Sequence, residues 1–187
     1  VYGDGVHAAV DETALPAPHS PYGVTKLAGE HLASLYHKNH GTPTVVLRYF
    51  SVYGPRERPD KAIQLFLSAA KRGRGIQVLG DGSQQRDFTF VGDVVDATVA
   101  ALERRPVGAV MNIARGRTVA LSEVIDTVRR VTGAPLPATH APVVAGDVRT
   151  TSGDITAARR LLGYAPKVDL AEGIARQWDA VKADPGI

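Results

Sequence analysis

Apolar and polar positions alternate along the chain with two different periods, and the switches between them mark out its elements. Over residues 22–38, Val24, Leu27, Ala28, His31, Leu32 and Leu35 recur at helical spacing and form one stripe. Thr44-Val45-Val46-Leu47-Arg48-Tyr49-Phe50 is β-branched and aromatic, which predicts a buried strand. A Pro-Arg-Glu-Arg-Pro loop separates it from a helix over 62–71. Short strands follow at 76–79, stopped by Gly80-Asp81-Gly82, and at 88–90. The helix predicted at 91–102 places Val94, Val95, Thr98, Val99 and Leu102 inward. A buried strand at 109–114 precedes helices near 122–131, 155–162 and 170–181, with Asp154 and Asp169 as N-caps of the last two. Strands alternating with helices predict an α/β protein built on a parallel sheet.

Composition narrows the classes of function. With 44% apolar and 22% charged residues the chain is ordinary globular material. It has no Cys, which excludes a thiolate metal site and a Cys nucleophile and fits a reducing, cytoplasmic compartment. No apolar run approaches the roughly 18–20 residues that span a bilayer, so a soluble protein is expected. The net charge is +3 (22 basic against 19 acidic residues). Its cations fall in the pairs Lys71-Arg72, Arg104-Arg105, Arg129-Arg130 and Arg159-Arg160, several of them at predicted helix ends where they complement the dipole. Only 6% of residues are aromatic and no basic stripe runs through them, which argues against nucleic acid and for a small anionic ligand. The chain opens on Val-Tyr-Gly-Asp-Gly and its only Met is Met111, a pattern expected of the later part of something larger.

The first chemical candidate lies in Ser20-Pro21-Tyr22-Gly23-Val24-Thr25-Lys26. Tyr22 and Lys26 are four apart at a helix start, so at about 100° per residue they project within about 40° of each other, nearly opposite the apolar stripe. An ammonium beside a phenol favours phenolate, which suits the pair to taking a proton from a sugar or alcohol hydroxyl. The bare pattern is equally compatible with an exposed Tyr and Lys. His37 and His40 are three apart, but no third metal ligand accompanies them, and a solvated helix end accounts for both. Tyr53 and Trp178 read as packing residues, and Asp11-Glu12, ahead of prolines, as a surface turn.

Five segments in order carry more weight than the pair. They are Val1-Tyr-Gly-Asp4, Ser20 to Lys26, Leu47-Arg-Tyr-Phe-Ser-Val-Tyr-Gly-Pro55, Arg86-Asp-Phe-Thr-Phe-Val-Gly-Asp-Val-Val-Asp96 and Gly146-Asp-Val-Arg149. Together they closely resemble the extended short-chain dehydrogenase/reductase superfamily, in its nucleotide-sugar epimerase/dehydratase branch, from Val1 to about Ile174. The resemblance implies the C-terminal part of a Rossmann-type parallel sheet plus a small mixed α/β substrate-binding lobe. It assigns 1–54 and 84–116 to the remaining NAD-binding lobe, and 55–83 with 117–187 to the lobe that binds the nucleotide sugar. No Gly-x-x-Gly-x-x-Gly turn follows a strand here, so on the order of 100 residues of dinucleotide-binding lobe are expected to be missing.

The same resemblance implies roles for particular residues. Tyr22 would be the base and Lys26 its assistant, both also touching NAD, with Phe50 beside the nicotinamide. Arg86 and Arg149 would clamp the substrate pyrophosphate, although each could instead be held in structural ion pairs, Arg86 with Asp87 or Asp93 and Arg149 with Asp154. Gln77 and Val78 match positions whose backbone meets the nucleotide base, and Lys61 and Asn112 match weaker substrate contacts. Ser51 stands where the family usually has Asn, a shorter side chain with one donor in place of two. Val144 stands where many epimerases have a basic residue. The family's Ser/Thr proton relay, and the acidic pair that marks dehydratases, both fall ahead of Val1. The expected activity is NAD-dependent epimerisation, at C4 of a UDP-hexose or UDP-hexuronic acid with a slight lean to the glucuronate type. A 4,6-dehydratase or decarboxylase, or a non-catalytic sugar-nucleotide-binding remnant, are the alternatives. A homodimer through the 22–38 and 91–102 helices is the default assembly, with no metal.

Overall fold

A computed structural model describes residues 1–3, 9–143 and 148–186. After a turn-rich start, Ser20 ends the extended segment and opens α1 (Pro21–His40). Its hydroxyl accepts from the Gly23 N–H at 3.1 Å while Pro21 supplies a pre-set φ at the first helical position. Gly41 at φ 66° stops the helix, its N–H bonding back to the His37 carbonyl.

The central strands come next. β1 (Val46–Tyr49) pairs in parallel with β6 (Val110–Ile113), and β2 (Ser51–Tyr53) pairs in parallel with β5 (Phe88–Phe90). One extended stretch therefore changes partner at Phe50, whose N–H still reaches Ile113 O while that of Ser51 reaches Asp87 O. Asp87 occupies the junction with no exposed surface. Its carboxylate accepts the N–H groups of Arg115 (2.6 Å), Gly116 (3.1 Å) and Gly153, which ties the entry of β5 to the exit of β6. Burial pushes this carboxyl above its ordinary range even though the backbone donors oppose the shift.

Two apolar cores flank this junction. The larger is built by α2 (Ala62–Lys71), β3 (Ile76–Leu79), α4 (Leu121–Thr132) and α6 (Leu170–Ala183), with Leu67, Val78, Val124, Val128 and Ile174 wholly enclosed. Asp169 caps α6, accepting from the Glu172 N–H at 2.8 Å, as the sequence predicts. Gly173 lets α6 lie directly on Tyr53: a Cβ there would stand 2.1 Å from the Tyr53 hydroxyl. The second core joins α3 (Val91–Arg104), β6 and α5 (Thr156–Leu162). The cap position of α5 falls on Ile155 and not on Asp154, which lies one residue further out and accepts the Thr156 N–H on its carboxylate at 2.6 Å. β3 pairs in parallel with β8 (Ala138–Ala141), and β4 (Gln85–Arg86) antiparallel with β7 (Val119–Ala120).

The α/β class with parallel pairing stands as predicted; three packing expectations do not. On α3 the inward residues are Val94, Ala97 and Ala101, while Val95, Val99 and Leu102 face out. Small alanines let the helix approach α5 and β6 closely, so the larger aliphatics take the other face. On α1 only Gly23 is buried, and Val24, Leu32 and Leu35 are each more than half exposed. No element among the described residues covers that stripe, and β1 likewise is half-buried where a buried strand was expected.

Asp87→Asn should destabilise the fold by about 1–3 kcal/mol, because an amide nitrogen would face backbone donors. The folded-state carboxyl titrates above its unfolded value, so folding takes up a proton as pH falls from 7 towards the ordinary carboxylate range near about 4. The wild-type advantage over Asp87→Asn should therefore widen over that window, read by urea unfolding at each pH.

Candidate active site

The start of α1 sets the site. A Cβ on Gly23 would lie 2.9 Å from the Pro18 Cβ, so the chain turns tightly into the helix and directs Tyr22 and Lys26 away from the protein body. Tyr22 is 71% exposed, and the Lys26 ammonium sits 5.1 Å from the centre of its ring. The sequence-predicted pair therefore meets, as an exposed cation beside an aromatic alcohol.

One turn on, the same helix face carries Glu30, which sequence reasoning missed. It accepts two bonds from the Arg48 guanidinium, at 2.5 and 2.9 Å, in a nearly enclosed ion pair between α1 and β1. Arg48 also donates to the Tyr2 hydroxyl at 2.6 Å, and Tyr2 donates to Asn112 Oδ1 at 2.7 Å. Burial works against the Arg48 charge, but its bonds to Glu30 and Tyr2 outweigh that and hold it firmly protonated. The signal was available in the eight-residue spacing of Tyr22 and Glu30 and in an Arg inside an apolar strand, where a cation needs a partner.

Tyr22 opens onto a cavity of about 700 Å³. Phe50, Ser51, Lys61, Gln77, Val78 and Arg86 line it as well, a size and mixture of apolar walls and sparse polar groups typical of small-molecule sites. It lies where the strand changes partner, just past the carboxyl end of β1, the usual ligand position in open α/β sheets. On its other side Tyr22 borders a groove of about 490 Å³ between α1 and β1, lined also by Lys26, Gly29 and Glu30. Tyr22 also borders a third space of about 270 Å³ with Tyr2, Phe50 and Ser51, whereas Lys26 lines only the groove.

Arg149 lines a neighbouring cavity of about 280 Å³ beside the Gly80-Asp81 turn. It is brought to Arg86 because the Arg149–Thr151 stretch adds to β4: Gln85 N–H and the Arg86 guanidinium both donate to the Arg149 carbonyl. Asp87, Asp93 and Asp154 each also accept backbone N–H groups, Asp87 as above, Asp93 from Lys167 and Val168, and Asp154 from Thr156, and the Arg149 charge acts on the Asp81 carboxylate of the neighbouring turn. Asn112 is not brought to the cavity. It is fully buried, and its amide donates to the Val10 and Asp154 carbonyls while its oxygen accepts from Tyr2, which makes it a brace between these segments. Val144, Gly146 and Asp147 lie outside the described residues. His37 bonds the Thr42 carbonyl near the end of α1, and among the described residues no three His, Cys, Asp or Glu converge as metal ligands.

Comparison with known proteins gives the ancestry. Residues 1–114 match the NAD dependent epimerase/dehydratase family. The chain belongs to that family. A UDP-glucuronate 4-epimerase of Thermodesulfobacterium geofontis is 33% identical over 89% of this chain and 51% of its own length. A dTDP-glucose 4,6-dehydratase of Streptomyces griseus is 34% identical over 94% of this chain and 54% of its own. Among solved structures, the UDP-glucuronic acid 4-epimerase of Bacillus cereus in complex with UDP-glucuronic acid and NAD superposes with a TM-score of 0.93 at 41% identity, covering 97% of this chain and 58% of that one. The chain spans about half the length of the curated relatives it matches. No helix among the described residues is long and apolar enough to cross a membrane.

Removing one partner of the buried pair should be costly. Glu30→Ala leaves the Arg48 charge enclosed and should cost about 3–5 kcal/mol in urea unfolding. Exchanging both partners together for apolar residues of similar volume should cost much less.

Proposed function

We propose that this chain is the substrate-side half of an NAD-dependent nucleotide-sugar 4-epimerase acting on a UDP-hexose or UDP-hexuronic acid. One observation carries the reading: Tyr22, with the Lys26 cation against its ring, opens onto the same cavity as Ser51, Lys61, Gln77 and Arg86. In this reading residues 1–54 and 84–116 belong to the cofactor lobe, and 55–83 with 117–187 to the sugar-nucleotide lobe. The compartment is the cytoplasm, and the exposed aliphatics of α1 and α3 are the surfaces for a homodimer.

Tyr22 takes the proton from the sugar C4 hydroxyl, and Lys26 keeps a positive charge against the Tyr22 ring, which favours the phenolate that accepts it. Arg86 and Arg149, drawn together by the β4 edge, hold the pyrophosphate, which suits the planar donor fork of guanidinium. Ser51 donates to sugar or phosphate, and the backbone at Gln77 and Val78 meets the base. The 4-keto sugar turns over within the cavity, and Tyr22 returns the proton to the oxygen of the inverted carbon. The residues present fit the nicotinamide end of NAD: Tyr22 and Lys26 border the groove behind the tyrosine, and Phe50 lines the cavity on the tyrosine's other side. They do not include a glycine-rich turn for its pyrophosphate. Bound there, NAD supplies hydride acceptance and return, and it is regenerated in each cycle.

The dehydratase relative favours a second reading in which the same first oxidation leads to loss of water. Incubating the full-length protein with NAD and, in separate reactions, UDP-glucose, UDP-glucuronate and dTDP-glucose, and following each sugar by NMR, tests both. Inversion at C4 supports the epimerase, a dehydrated or decarboxylated product supports the alternative, and unchanged substrate contradicts both. Tyr22→Phe should lower kcat by about 10²–10⁴-fold in that assay. Arg86→Ala and Arg149→Ala should each weaken UDP-sugar binding by about 1.5–3 kcal/mol in calorimetry, as lost charge-assisted bonds.

A further inference from the structure

One wall of the cavity is a loop whose shape needs explaining. Residues 54–61 run from the end of β2 to the start of α2, and Glu57, Asp60 and Lys61 from this loop line the cavity. The loop includes Arg56 at φ 68°, a left-handed conformation unfavourable for a residue with a side chain. It also leads into α2 through Lys61, which offers that helix no side-chain cap.

Glu57 supplies what the loop lacks. Its carboxylate accepts the backbone N–H of Gln64, at the third position of α2, and so caps the helix from outside. It also accepts from Gln177 Nε2 of α6 at 2.9 Å. The same amide donates its second N–H to Gln64 Oε1 at 2.9 Å, so a half-buried loop carboxylate, α2 and α6 meet in one polar triad. Gln177 is fully buried, Gln64 nearly so, and the Gln177 carbonyl oxygen has no partner. Such a cluster inside an apolar core is expensive to maintain, since each unpartnered polar atom there costs stability. Its effect is to fix a single loop geometry. Neither the motifs nor the resemblance pointed to these three residues.

We infer that Glu57 is a positioning residue for the sugar-nucleotide site: through Gln64 and Gln177 it holds Lys61 at the cavity wall, where the ammonium meets the anionic substrate. The inference rests on the nucleotide-sugar reading of the cavity. It assigns no chemistry to Glu57 itself, which acts only through the placement of Lys61.

Calorimetric titration of the full-length protein with UDP-glucuronate tests it, with thermal melting of each variant in parallel. Glu57→Ala should weaken binding about tenfold, on the order of one charge-assisted bond. Glu57→Gln, whose amide oxygen accepts both bonds, should recover most of that loss. Lys61→Ala should weaken binding to a similar degree, and Glu57→Ala added to it should cause little further loss, because both act through one ammonium. A purely structural Glu57 would instead shift melting and leave this non-additivity out. Should Glu57→Ala fail to fold, Gln177→Met removes the donor from the α6 side without altering a cavity residue and carries the same expectation. Full affinity in Glu57→Ala (or, in its place, Gln177→Met), or losses that simply add with Lys61→Ala, overturns the inference and leaves the function standing. No binding by the unmodified protein overturns both.

Discussion

A single buried carboxylate sets the geometry on which the rest of the molecule depends. Where the chain leaves β6 as its partner and takes up β5, the backbone N–H groups of Arg115, Gly116 and Gly153 converge with no strand to receive them. Asp87 receives all three while its own carbonyl pairs with Ser51. Desolvating a charged group is unfavourable, yet leaving those donors unpaired in the interior would be worse. The result is a rigid junction that presents Phe50 and Ser51 side by side at the mouth of the cavity. The site lies at the partner change because there the sheet opens and side chains from both strand pairs face one space.

A second constraint aims the helix that carries the chemistry. α1 buries only Gly23, so packing alone does not orient it. Glu30 and Arg48 do so electrostatically, and Tyr2 and Asn112 carry the connection on to β6. Because Tyr22, Lys26 and Glu30 share one face at four-residue intervals, pinning Glu30 to β1 also fixes where the other two point. The Tyr22–Lys26 pair is therefore exposed without being loosely directed.

Much of this was legible in the sequence, for reasons that differ by element. The bounds of α2, β3 and β5 follow directly from periodicity and glycine punctuation, and the Asp169 cap from its position. β4 and β7 have two residues each and β8 reads Ala-Thr-His-Ala, too short or too weakly branched to stand out; only pairing with distant segments creates them. The inward face of α3 was misread because both of its sides are apolar, and closeness of approach favours alanine over valine. For the candidate site, order and spacing of motifs picked out Tyr22, Ser51 and Arg86, which line one cavity, and Lys26 against Tyr22. They could not show that Asn112 turns into the core, nor that Glu30, Glu57 and Asp87 are organising groups, since each role exists only once distant segments meet.

The central claim is that Tyr22 and the arginine-bearing cavity serve one bound molecule. A crystal structure of this chain soaked with UDP-glucuronate tests it most directly. The account predicts the pyrophosphate between Arg86 and Arg149, uracil along Gln77-Val78, and the sugar's C4 hydroxyl within hydrogen-bond reach of the Tyr22 oxygen. A nucleotide bound elsewhere, or bound with its sugar directed away from Tyr22, would contradict it.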